Sequence, residues 1–171
     1  MNNRLKHIRL LLLDVDGVLT DGSIIFDANG LETKCFNVRD GHGIKMLQRH
    51  GIEVGIITGR TSAVVDIRAK ELGINLVYQG ALIKLESYNN VKEKTGLDDS
   101  QIAYMGDDVI DVPLLRRVGF AAVPLDGMSG VRDAAHYVSS CAGGRGAVRE
   151  VCDMILKGRG VWDEIVARYE L

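Results

Sequence analysis

Short apolar runs that stop at acids or glycine recur along this chain. Leu10 to Val15 is the first, ending among acidic residues and a glycine, as a strand buried on both faces of a parallel sheet would. Ile52 to Ile57 stops at Thr58-Gly59-Arg60, Ile74 to Tyr78 at Gln79-Gly80, and Ile102 to Met105 at Gly106-Asp107-Asp108. Gly119 to Val123 is a fifth run of the same kind. Between them, Gly41 to His50, Ser62 to Leu72, Leu82 to Thr95, Val109 to Arg117 and Ala147 to Lys157 carry apolar residues at helical spacing.

Strand and helix therefore alternate, which predicts an α/β fold: a Rossmann-like parallel sheet with helices on both faces, joined by right-handed crossovers. One stretch breaks the alternation. Ser23 to Phe26 and Thr33 to Val38 flank Asp27-Ala28-Asn29-Gly30, and Asn-Gly between extended runs predicts a β-hairpin directly after the first strand. With no internal repeat or linker, residues 1–171 read as a single domain, and the C-terminal tail from about residue 158, introduced by Gly158-Arg159-Gly160, reads as a loosely attached appendix.

Composition narrows the functional classes. A chain of 171 residues with 46% hydrophobic and 26% charged positions fits one compact soluble core. The net charge of -2 comes from interspersed acids and bases, so neither nucleic acid nor a membrane surface is an expected partner. Cys35, Cys141 and Cys152 are odd in number and widely spaced, as reduced thiols are. The apolar run Ile8 to Leu13, interrupted by Arg9, is too short for a signal-peptide core or a membrane span, and the expected location is cytoplasmic.

In open α/β sheets ligands bind beyond the carboxyl ends of the strands, where this sequence puts reactive groups. The first run delivers Asp14 and Asp16, the second Thr58 and the Gly59 amide, the fourth Asp107 and Asp108, and Lys84 comes early in the helix after the third. Carboxylates gathered at one edge repel unless protonated or bridged by a cation. All-oxygen ligation without His or Cys selects a hard ion, and a partial protein shell favours Mg²⁺. Lys84, Thr58 and the Gly59 amide would supply charge and donors for a phosphoryl group. Asp14 could then attack phosphorus, with Asp16 protonating the leaving oxygen and later activating water.

Each motif has a plainer reading. Asp14-Val15-Asp16-Gly17 could be a polar turn, although not a calcium loop, because its glycine comes too early and Ile25 stands where a bidentate Glu is needed. Lys84, Arg60 and Arg68 could be solvated helix charges, yet an arginine fork would suit a carboxylate on the substrate. Gly143-Gly144-Arg145-Gly146 lacks the following Gly-Lys-Ser/Thr of a phosphate loop, and the four histidines show no ligand spacing. Asp108 and Asp111 could orient metal-bound waters or cap the next helix.

Taken together, Asp14-Val15-Asp16-Gly17-Val18-Leu19-Thr20, Thr58-Gly59-Arg60, Lys84 and Gly106-Asp107-Asp108-Val109-Ile110-Asp111 resemble, in order, the four motifs of the haloacid dehalogenase superfamily. Asn37-Val38-Arg39-Asp40-Gly41 and Gly143 to Glu150 extend the likeness over nearly the whole chain, to the capless family of 3-deoxy-D-manno-octulosonate 8-phosphate phosphatases. That resemblance implies Mg²⁺ held by the Asp14 and Asp107 side chains and the Asp16 carbonyl. It implies catalysis by Asp14, Asp16, Thr58 and Lys84, and a substrate faced by Asp16, Asn37, Val38, Arg39, Asp40, Gly41, Lys45, Gly59, Arg60, Arg68 and Lys84. The implied substrate is a small phosphorylated sugar acid on the route to lipopolysaccharide, and the implied assembly is a homotetramer. Phosphatases of other nonulosonate 9-phosphates share these motifs, and a catalytically idle oligomerisation module is the alternative from another class.

Spacing adds one expectation of its own. The segments between Asp14, Thr58 and Lys84 leave no room for a large cap domain, so the site should be open. The hairpin of a neighbouring subunit is the candidate to cover it.

Overall fold

The computed structural model describes residues 2–170. Its centre is a six-stranded parallel sheet in the order β5-β4-β1-β6-β7-β8, formed by β1 (Leu10–Leu13), β4 (Glu53–Ile57), β5 (Leu76–Tyr78), β6 (Ile102–Met105), β7 (Phe120–Val123) and β8 (Tyr137–Val138). The hairpin strands β2 (Ile25–Phe26) and β3 (Glu32–Thr33) pair antiparallel as a separate small sheet. The expected α/β architecture and hairpin are both present.

The central strand shows why a continuous apolar run codes for this position. All four leucines of β1 are fully buried, and successive side chains leave opposite faces. Leu11 and Leu13 join the core beneath α2 (Val38–Arg49), α3 (Ala63–Leu72) and α7 (Ala147–Gly158), which also receives α1 (Asn2–Leu5). Leu10 and Leu12 join the core beneath α4 (Lys84–Thr95), α5 (Val112–Leu115) and α6 (Ser129–Arg132). Two cores on two faces of one sheet hold the carboxyl-terminal edge rigid.

Three of the expected elements come out differently. The second hairpin arm stops at Thr33, and Val38 opens α2 instead of closing a strand, because the Asn37 side chain accepts the Arg39 amide at 2.8 Å and caps the helix. The helix expected over Val109 to Arg117 is divided into a single 3₁₀ turn at Val109–Asp111 and the short α5, with Pro113 in its first turn. That turn is pinned by Asp108 and Asp111 side chains accepting backbone amides. The tail is docked: α8 (Trp162–Ala167) buries Ile165 against the α2 and α7 core, and Lys157 lies over the Trp162 ring. Among the described residues no helix is long and apolar enough to cross a membrane.

Candidate active site

Strand register brings the motifs to one edge. Leu13 of β1 pairs with Ile56 of β4 and with Met105 of β6, so the residues that follow each strand, Asp14, Thr58 and Asp107, emerge side by side. Gly17 in the loop after β1 has φ +89°, and a Cβ there would run into the Asp107 carboxylate. Only glycine lets the first and fourth motifs come this close. The position a Cβ would take on Gly59 is in ordinary van der Waals contact with Ile110, at 3.6 Å, so the second motif also lies beside the fourth.

The deep half of the site is a buried charge network. Lys84, fully buried at the start of α4, places Nζ 2.9 Å from Asp14 Oδ2 and 2.6 Å from Asp111 Oδ1, and donates to the Tyr104 hydroxyl at 3.2 Å. Tyr104 donates to Asp111 Oδ1 at 2.5 Å, while Asp111 Oδ2 accepts the amides of Asp107 and Asp108 at 2.9 and 3.1 Å. The ammonium thus donates to Tyr104 and Asp111, which holds its charge against Asp14. Asp14 Oδ1 accepts the Val15 amide at 2.7 Å, which holds its carboxyl group in one orientation.

Burial pushes the Asp14 carboxyl up to about 6, against the pull of Lys84. Burial, reinforced by the charges of Asp14 and Asp111, pushes Asp107 up to about 7. Buried carboxylates that hold protons this tightly are waiting for positive charge.

Asp14, Asp107 and Asp111 each offer an oxygen, all within 4.8 Å of one another. Proximity alone names three ligands, but both Asp111 oxygens are already saturated by Lys84, Tyr104 and two amides. Asp107 Oδ1, by contrast, is buried with no hydrogen-bond partner. Among the described residues no backbone amide donates to the Asp16 carbonyl. A hard cation held by Asp14 and Asp107, with Asp111 as the buttress beneath, fits these donors.

The outer half is built from the hairpin. Asp16 Oδ1 accepts Lys34 Nζ at 2.5 Å, and Asp16 Oδ2 lies 3.8 Å from Arg60. Glu32 accepts Arg60 at 2.8 Å, lies 3.4 Å from Lys34 and accepts the Ser62 hydroxyl. Sequence reasoning missed Glu32 and Lys34. The folded arm alternates in exposure over Glu32 to Phe36, which puts Glu32, Lys34 and Phe36 on one inward face.

The remaining predicted residues divide. Asn37 caps α2 and also donates to the Gly144 carbonyl at 3.3 Å. Arg68 reaches the Asn37 carbonyl at 3.5 Å and lies over Phe36, and a Cβ on Gly41 would press on its guanidinium at 2.5 Å. Val38 and Arg39 are exposed, while Asp40 is buried and accepts the Arg149 amide at 2.7 Å at the start of α7. Lys45 is not brought to the acids: two turns further along α2, it donates to the Leu72 carbonyl at 2.7 Å, where α3 ends before β5 begins. The glycine-rich turn packs on the loop after β1, with the Gly144 amide donating to Val18 at 2.9 Å, so it braces the first motif.

No family model matches the chain. The 3-deoxy-D-manno-octulosonate 8-phosphate phosphatase KdsC of Escherichia coli K12 is 48% identical to it over 159 residues, 93% of this chain and 85% of the relative. The chain belongs to the KdsC phosphatase family of the haloacid dehalogenase superfamily. A KdsC-family structure from Moraxella catarrhalis, in complex with magnesium, phosphate and KDO, superposes with a TM-score of 0.96 at 44% identity, covering 98% of this chain and 97% of that one. The cobalt-bound enzyme of Haemophilus influenzae superposes at 0.90 with 41% identity, over 93% of each chain. Both of these KdsC-family proteins carry a divalent metal, the class of ion that the Asp14 and Asp107 oxygens suit.

Proposed function

We propose that this protein is a Mg²⁺-dependent phosphatase that hydrolyses 3-deoxy-D-manno-octulosonate 8-phosphate through a covalent aspartyl-phosphate on Asp14. The observation that carries the reading is Asp14 itself: a buried carboxyl, oriented by one amide, in contact with a fully buried ammonium, on the edge shared with Asp107.

The proposed steps give each of these groups one role. An oxygen of Asp14 attacks phosphorus, and the bond from phosphorus to the sugar oxygen breaks. Lys84 stabilises the transferring oxygens, aided by Thr58 and the Gly59 amide. Asp16 gives a proton to the departing sugar oxygen, then takes one from the water that hydrolyses the acyl phosphate, which returns Asp14 and releases phosphate. Mg²⁺, held by Asp14, Asp107 and the Asp16 carbonyl, would supply charge neutralisation on the phosphoryl oxygens.

The sugar acid would be met on the outer side, where Arg60 and Arg68 offer guanidinium groups for its carboxylate. Ile24, Ile25, Phe26 and Leu31 at the hairpin tip are exposed, which supports a homotetramer in which that tip covers a neighbour's site. Membership of the KdsC family supports a role in lipopolysaccharide precursor synthesis, and the absence of a membrane-crossing helix among the described residues is compatible with the cytoplasm.

The test is phosphate release from a panel of phosphorylated sugar acids, with and without Mg²⁺. The octulosonate 8-phosphate should give the highest kcat/KM, and only with the metal. A preference for a nonulosonate 9-phosphate would overturn the substrate assignment, and turnover undiminished by chelation would overturn the mechanism.

A further inference from the structure

The outer network contains a lysine with no part in the scheme above. Lys34 leaves the end of the hairpin, yet its side chain is only 1% exposed. Lysine is rarely buried unless its charge is used. Here the ammonium bonds Asp16 at 2.5 Å and approaches Glu32 at 3.4 Å, and Glu32 is in turn tied to Arg60 and Ser62. The Asp16 side chain is 21% exposed at the edge of the site, and apart from Lys34 it has Arg60 at 3.8 Å. A two-carbon carboxylate without a closer anchor is free to turn between rotamers, and proton transfer to a leaving oxygen demands placement within hydrogen-bond reach.

We infer that Lys34 is a positioning residue, which aims the Asp16 carboxyl group at the oxygen of the departing alcohol and links the hairpin to acid catalysis. The inference rests on the reading of Asp16 as the acid. Lys34 itself pairs with neither the Asp14 nor the Asp107 side chain. Glu32 lies 3.4 Å from the same ammonium, so the base of the hairpin belongs to the site of its own chain, whatever its tip covers.

Leaving-group dependence separates positioning from mere support. A good leaving group such as p-nitrophenolate departs without a proton, whereas an alkoxide does not. kcat/KM is therefore measured with Mg²⁺ on a series running from p-nitrophenyl through phenyl to ethyl phosphate, for the parent protein, Lys34→Met, Lys34→Arg and Asp16→Asn. These esters lack the sugar acid's carboxylate and hydroxyls, so a lost contact to the sugar cannot imitate the effect.

Lys34→Met should lose about tenfold or more on ethyl phosphate, while staying within about twofold on p-nitrophenyl phosphate; Lys34→Arg should recover much of the loss. This is a fraction of the roughly 10² to 10⁴ that general acid catalysis supplies. Equal loss along the series, or none, overturns the inference. Asp16→Asn tells the two failures apart: if it shows the leaving-group pattern and Lys34→Met does not, only the positioning role falls. If Asp16→Asn shows no such pattern, the acid assignment falls first. Should Lys34→Met prove insoluble, Lys34→Gln poses the same question with a polar side chain in place.

Discussion

The two halves of this site handle negative charge in opposite ways. In the deep half, burial pushes Asp14 up to about 6 and Asp107 up to about 7, and the sheet, α4 and the 3₁₀ turn hold these groups in place. In the outer half the Ser62 hydroxyl, and after it Lys34 and Arg60, hold the Glu32 carboxyl below its ordinary range. The deep half is short of cations and rigid. The outer half is nearly self-neutralised, with Asp16 and Glu32 facing Lys34 and Arg60, and it stands on a hairpin of two-residue strands. A rigid, charge-hungry pocket suits chemistry common to every phosphate ester, and a peripheral, internally paired arm suits the choice of what is attached to the phosphate.

The largest expected effect lies in the deep half. Asp14→Asn keeps the shape of the side chain but removes the nucleophile, so Mg²⁺-dependent phosphate release should fall to background. Circular dichroism should still report the parent fold. Retained turnover would move the chemistry away from the deep half.

Lys84→Met comes next, and it should damage the fold as well as the activity. The fully buried ammonium is shared by Asp14, Asp111 and Tyr104, and without it two buried carboxylates face each other unpaired. Breaking such a pair from one side costs about 3–5 kcal/mol. Urea denaturation should show a loss of that order, and a loss below about 1 kcal/mol would mean that the deep half is less dry than its burial implies.

How much of this contrast was legible in sequence follows from the same division. The deep half announced itself because strand ends in a parallel sheet are fixed by apolar runs, and Asp14, Thr58, Lys84 and Asp107 each follow one. Tyr104 stayed hidden: inside a buried strand it reads as core, and the partner that gives its hydroxyl a purpose lies seven residues away across a turn. Asp111 was readable as a helix cap or as an orienter of metal-bound waters; its side chain accepts two backbone amides and also takes the Lys84 ammonium, a partner the sequence did not suggest. Glu32 and Lys34 were invisible because charged residues on a short hairpin arm read as solvated, and only the folded arm shows that alternate positions turn inward. Lys45 was named by the resemblance alone, and its ammonium lies on the Leu72 carbonyl, away from the acids.

A metal and pH experiment sharpens the comparison further. For Asp14 and Asp107 the folded carboxyls bind protons more tightly than the unfolded chain does. The native state therefore holds more protons between about pH 4 and the raised values, and stability falls as pH rises through that window. Glu32 has the opposite sign: its contribution is present above the ordinary glutamate range and is lost as pH falls through its lowered value. Metal-free protein should accordingly lose thermal stability from pH 5 to pH 7.5, and added Mg²⁺ should raise the unfolding temperature more at pH 7.5 than at pH 5. An Mg²⁺ effect that is the same at both pH values would show that cation binding does not draw on the deep carboxylates.

The smallest effect should come from Glu32→Gln, and it is the sharpest check on the outer half. The substitution keeps the size of the side chain and an acceptor for Arg60 and Ser62, while removing one of the two negative charges around Lys34. Because Arg60 is more than a third exposed, solvent screens its part of the network, and such pairs are worth about 0–1 kcal/mol. The unfolding temperature should shift by no more than about 2–4 °C, the scale of 1 kcal/mol in a domain of this size. The acid-side loss of stability should become shallower, since its titrating group is gone. Lys34 keeps Asp16 as its partner at 2.5 Å, so the leaving-group series should stay near the parent pattern. If Glu32→Gln destabilises the protein as much as Lys84→Met, the hairpin base is part of the core framework, and the division between a fixed chemical half and an adjustable selective half is wrong.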